Sequence, residues 1–136
     1  MGFRGCKLFL LLFMLNTLLV ACSSPAELEG TWLGYQISDP HLDWILTIRR
    51  NQFNMICEDF SMWYSGHFKL NNNCLWNKVD LEMNDTAEPA YNGKTSFGIY
   101  KIEKDTLILV ASKPGKEARP FSFDETADTI AFVFEK

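Results

Sequence analysis

Cysteine and histidine are the side chains here with the most specific chemistry, and the 136 residues hold four of one and two of the other. Cys22 stands out. It follows Leu19-Val20-Ala21 directly, closing an apolar run from Leu8 to Ala21 that Arg4 and Lys7 precede. Asp39-Pro40-His41-Leu42-Asp43 alternates three side chains that ligate divalent metals. No fourth ligand is evident, and Asp-Pro commonly starts a turn, so a turn is expected and no metal site is assigned. Glu117, Asp124, Glu125 and Asp128 lack the spacing of a calcium loop and read as a solvated connection. His67, between Gly66 and Phe68, falls on the predicted outer face of a strand. Neither histidine sits in a nucleophile–base motif. No catalytic residue and no cofactor are expected, and the chain reads as a non-enzyme.

Leu19-Val20-Ala21-Cys22 resembles a bacterial lipobox. The run before it is about 14 residues long, short of the roughly 20 needed for a helix to span a bilayer. A basic start, a short apolar stretch and a small residue at the cut make a secretory signal. The resemblance implies that residues 1–21 are removed and that Cys22 becomes the lipid-bearing N-terminus. Each buried CH₂ contributes about 0.8 kcal/mol, so two or three acyl chains make a stable anchor. Residues 22–27, with Ser23-Ser24-Pro25-Ala26, read as a tether. Ser23 is not the aspartate that retains enterobacterial-type lipoproteins at the inner membrane. A bacterial cell-envelope location follows, with the outer membrane favoured.

Residues 28–136 suffice for one domain with its own core. All 17 acidic side chains, but only 11 of the 13 basic ones, lie after the signal, giving a charge near −6. Nucleic-acid binding would show a basic patch, and none is present. Beyond the membrane anchor, the partners to consider are a small apolar ligand or an envelope protein.

Period-2 alternation dominates after the tether and predicts eight strands. They cover about Gly30–Ile37, Asp43–Arg49, Gln52–Glu58, Met62–Leu70, Leu75–Asn84, Thr95–Glu103, Thr106–Ser112 and Thr129–Glu135. Turn residues separate them, and short links favour antiparallel neighbours. Ala26–Glu29 is expected to make one helical turn. Lys78-Val79-Asp80-Leu81-Glu82-Met83 alternates most cleanly, with its apolar side chains on one face. One apolar face on each of eight strands requires a closed surface, so the fold class is all-β, an eight-stranded antiparallel meander barrel. In that arrangement Cys57 and Cys74 lie near opposite ends of neighbouring strands, beyond the roughly 7 Å Cα limit of a disulfide. Two free thiols are expected, with Cys57 buried.

Gly30-Thr31-Trp32 resembles the G-x-W signature of lipocalins, in which the tryptophan packs across the closed barrel end beneath a late basic side chain. Arg119 is the candidate for that role. From Leu28 onward the chain is similar to a family of lipocalin-like bacterial domains abundant in planctomycetes. The matching pieces are Leu28-Glu29-Gly30-Thr31-Trp32, Gly66-His67-Phe68-Lys69-Leu70, Lys78-Val79-Asp80-Leu81, Gly93-Lys94-Thr95, Gly98-Ile99-Tyr100, Asp105-Thr106-Leu107 and Lys113-Pro114-Gly115 with Arg119-Pro120. The resemblance implies the fold and no particular reaction.

Inside such a barrel, Trp32, Phe53, Tyr64, Phe68, Leu81, Tyr100 and Phe132 are the expected ligand-lining residues, with Phe134 also inward. So many rings leave room for a small apolar pocket at most, fixed by the Tyr64 or Tyr100 hydroxyl. Trp63 and Trp76 fall on the outward phase, and Trp44 is not assigned to either face. Outer tryptophans point to the other reading, a protein-interaction or inhibitor module.

Overall fold

The computed structural model describes residues 25–71 and 77–136. The signal segment, Cys22, Cys74 and Trp76 lie outside the described residues, so the lipid anchor and the proposed absence of a Cys57–Cys74 bridge rest on sequence.

The chain forms a closed barrel of eight strands joined in sequence order. A short helix α1 (Pro25–Leu28) precedes β1 (Gly30–Gln36), β2 (Asp39–Arg49), β3 (Gln52–Cys57) and β4 (Trp63–Leu70). Then follow β5 (Lys78–Thr86), β6 (Thr95–Glu103), β7 (Thr106–Ser112) and β8 (Thr129–Glu135), which pairs back onto β1. Every neighbouring pair is antiparallel, and closure leaves no open sheet edge among these strands.

Alternation puts the apolar phase inside. Val79, Leu81 and Met83 are all buried, as are Phe53, Met55 and Cys57 on β3 and Phe132 and Phe134 on β8. Cys57 is a free, buried thiol. The two ends of the barrel differ. At the base, Leu28 of α1 reaches the core and its carbonyl accepts a 2.8 Å hydrogen bond from Trp32 Nε1. At the mouth, Leu42, Met62, Tyr91 and Ile130 pack over the core as half-buried side chains.

Three expectations need correction. β2 begins at Asp39, so Asp39-Pro40 is strand rather than turn, and the reversal falls at Ile37-Ser38. Tyr35 pairs with Asp43 and Gln36 with Asp39, so a bulge leaves Pro40, His41 and Leu42 without β1 partners. Proline's missing N–H therefore costs no ladder bond there. β5 runs from Lys78 to Thr86, past the expected end at Asn84, while the expected start at Leu75 lies outside the described residues. The third correction concerns Arg119, which lies on the outside of the barrel and not over Trp32. Its guanidinium spans the β5–β6 seam, donating to the Val79 and Gly98 carbonyls and pairing with Asp80. Lys136 takes the position over Trp32, its Nζ 5.1 Å from the ring centre.

The connection between β7 and β8 also covers an outer face. Ile99, Val110 and Ala131 form a second buried cluster with Phe123 packed on it. β7 is accordingly apolar on both phases, a pattern expected of a strand buried on both sides.

Candidate functional site

The lumen is nearly filled by side chains. Among the described residues, one void, of about 50 Å³, lies in the basal half between residues such as Ile48, Phe53, Met55, Phe68, Leu81 and Tyr100, and presents only apolar surface. A second void of about 30 Å³ lies toward the mouth beside Tyr64, Met83, Ser96, Ala111 and Phe132. Of the expected lining residues, Phe53, Phe68 and Tyr100 thus reach the basal void, Tyr64 and Phe132 the upper one, and Leu81 both. Trp32 lines neither; it is 1% exposed and seals the base. An apolar cavity of roughly 150 Å³ is the size that admits benzene. Both voids fall well short of it.

The upper lumen holds the most distinctive chemistry. Trp44 points inward, stacked on Tyr64 at 6.0 Å and meeting Phe132 edge-on at 5.3 Å. Its Nε1 is buried and lacks a hydrogen-bond partner. Burial, with the nearby Tyr91 and Cys57, pushes the Tyr64 phenol up to about 12, so its hydroxyl stays protonated at neutral pH. Nothing in the sequence distinguished Trp44 from an outward tryptophan except its phase with Leu46 and Ile48.

Cys57 pairs with Trp44 across β2 and β3. Its thiol donates to Asp59 Oδ1 at 2.8 Å and accepts the Met62 N–H at 3.2 Å. Asp59 also accepts the Ser61 N–H and hydroxyl, and these bonds, the thiol's first, hold its carboxyl down at about 2. A thiol 1% exposed and engaged this way presents no nucleophile to solvent. The network ties the β3–β4 turn, in which Phe60 takes a φ of 59°.

The histidines do not converge. His41 is exposed on the bulged part of β2, whereas His67 Nδ1 lies 2.8 Å from Asn84 Oδ1 on the outer surface. Among the described residues no group of His, Cys, Asp or Glu is arranged to hold a metal ion.

The outer surface of β1–β4 is organised in rows by the strand register. Leu33 pairs with Ile45, Ile45 with Ile56, and Ile56 with Trp63. These four outward side chains form an unbroken apolar line across four strands. Leu33 is 60% exposed and Ile45 38%, with Ile56 and Trp63 half-buried. Tyr35 and Ile37 extend the apolar surface along β1. The next row is Thr31, Thr47, Asn54 and Ser65. Beyond it, Arg49, Gln52, Asn54, Ser65, His67 and Asn84 border an open groove of about 450 Å³. The register shift between Ser65 and Gly66 lies at this groove. A Cβ at Gly66 would lie 1.9 Å from the Glu82 carbonyl oxygen, so the close strand approach there requires glycine.

Sequence reasoning found Trp63 on this face but missed the line it belongs to. The signal was present in the outward phase of β1 and β2, where Leu33, Tyr35 and Ile45 replace the expected polar residues. Compared against protein-family models, curated proteins and solved structures, the chain matched none.

Proposed function

We propose that this chain is a lipid-anchored protein of the bacterial cell envelope, attached through Cys22, whose barrel is a binding module and not an enzyme. It acts through the outer face of β1–β4. The outer membrane is the favoured site, from Ser23. The observation that carries the reading is the continuous line Leu33–Ile45–Ile56–Trp63 beside a polar groove, on a barrel whose lumen is nearly full. Single exposed apolar residues are ordinary; a register-aligned series bordered by hydrogen-bonding groups is the anatomy of a contact surface. The occupant is a segment of another envelope protein that brings apolar side chains to the line and hydrogen-bonding groups to the Arg49–His67 groove.

A small apolar ligand is the second reading, favoured by one observation: Trp44 Nε1 is an unpartnered buried donor on a ring packed against Tyr64 and Phe132, which line the upper void. A guest there would be smaller than benzene unless the mouth opens, and would carry a hydrogen-bond acceptor.

Native mass spectrometry of the domain taken from its own host separates the two. The first reading predicts a protein partner at fixed stoichiometry that is lost in the double variant Leu33→Glu/Ile45→Glu and retained in Met55→Ala. A small-molecule adduct lost in Phe132→Ala, with no partner affected by the outer-face variant, would overturn it in favour of the second.

A further inference from the structure

The charges of the barrel are sorted between its ends. Ten acidic residues sit on the mouth or in the β7–β8 connection that leaves from it and returns to it: Asp39 and Asp43, Glu58 and Asp59, Asp85 and Glu88, then Glu117, Asp124, Glu125 and Asp128. Only Lys94, Lys113 and Lys116 oppose them there. Two ion pairs, Lys69–Glu82 and Arg119–Asp80, lie at mid-height and cancel. The base carries Arg49, Arg50, Lys78, Lys101, Lys104 and Lys136 against Glu27, Glu29, Glu103, Asp105 and Glu135. The mouth end therefore carries a net charge of −7 and the base +1.

The chain enters the barrel at the other end. α1 plugs the base, its Leu28 4% exposed and bonded to Trp32. Two residues, and so three Cα–Cα steps, separate Cys22 from Pro25, where α1 begins. At most about 3.6 Å per residue, they reach roughly 10 Å. Strands of six to eleven residues, most of seven to nine, make the barrel about 20 Å tall, so the tether is shorter than the barrel.

We propose that the base of the barrel is a lipid-facing surface: the Arg50 and Lys104 turns and Lys136 lie against anionic headgroups while the acidic mouth points away from the membrane. The inference rests on the lipid-anchor reading and adds an orientation to it. Tether length keeps the base within contact of the bilayer. Repulsion between an anionic surface and the mouth opposes the inverted pose, whereas the base, with six basic against five acidic side chains, meets no such repulsion. The β1–β4 flank then stands clear of the lipid, open to the space between membranes.

The experiment uses the full-length, host-processed protein in vesicles of phosphatidylethanolamine and phosphatidylglycerol. A fluorophore is placed at Lys104→Cys or at Glu88→Cys in a Cys74→Ser background, leaving buried Cys57 unreactive. Quenching by nitroxide-headgroup lipid should be several-fold stronger at position 104 than at 88. Flexible residues inserted after Ser24 should weaken the quenching at 104. Equal quenching at both positions, or stronger quenching at 88, overturns the orientation. The mass of the same sample reports the anchor: a protein without acyl chains overturns the anchor reading and the orientation together, whereas an acylated protein with the wrong quenching pattern overturns the orientation alone.

Discussion

Lys136 crosses above Gly30 and brings its ammonium group to 5.1 Å from the centre of the Trp32 ring. Gly30 has a φ of 128°, and a Cβ there would lie 2.8 Å from Lys136 Cε. The glycine therefore serves both the backbone conformation and the path of the lysine. Lys136→Met should cost about 0.5–1 kcal/mol, the range for an exposed cation on an aromatic face. Gly30→Ala should cost more than about 1 kcal/mol, since alanine is strained at positive φ. Adding a lysine truncation (Gly30→Ala/Lys136→Ala) should give less than the sum, because the steric conflict disappears. Urea unfolding of the three variants measures each figure.

The two inward tryptophans should respond differently to loss of the indole N–H. Trp32 Nε1 is bonded to the Leu28 carbonyl, so Trp32→Phe gives up a buried hydrogen bond and the packing that seals the base. A loss of about 2–4 kcal/mol is expected. Trp44→Phe relieves an unpartnered donor while removing volume. These effects oppose, and the net change should stay within about 1 kcal/mol. Equal losses at the two sites would show that Trp44 Nε1 is satisfied in solution.

Asp59 couples stability to acid. Its folded carboxyl is depressed to about 2 from an ordinary 3.8, chiefly by the Cys57 thiol. A depressed folded value contributes stability above the unfolded value, and that contribution is lost as pH falls. The window is therefore pH 4 down to 2. Stability of the native protein and of Asp59→Asn, followed by thermal unfolding across this window, should converge toward its lower end. A constant difference would place the effect elsewhere. Thiol titration should likewise label Cys57 only after unfolding.

Filling of the lumen can be reversed by mutation. Leu81 borders both voids, so Leu81→Ala should join and enlarge them. The expected cost is about 2–5 kcal/mol, with part of it recovered by a benzene-sized guest. Unfolding curves with and without benzene test this; no stabilisation by benzene means that the walls collapse instead.

Most of the fold was legible because strand alternation is a local signal. The Val79/Leu81/Met83 row and the eight apolar phases were enough to require closure. Asp39-Pro40 misled because the local turn preference was overridden by a bulge that leaves the proline without a partner. The basic residue over Trp32 was expected from late in the chain, but choosing Lys136 over Arg119 needs the β8–β1 closure, a non-local contact. The outer row was illegible for a related reason. Leu33, Ile45, Ile56 and Trp63 are separated along the chain, and only the register across four strands aligns them.

The most direct test of a filled barrel that works through its exterior is tryptophan fluorescence of the delipidated domain during titration with a quencher-bearing long-chain fatty acid. The account predicts no saturable quenching, because voids of about 50 and 30 Å³ cannot admit the chain. Saturable one-to-one quenching that is abolished by overpacking the lumen with Ala111→Phe would contradict it, and would make the interior of the barrel the working site.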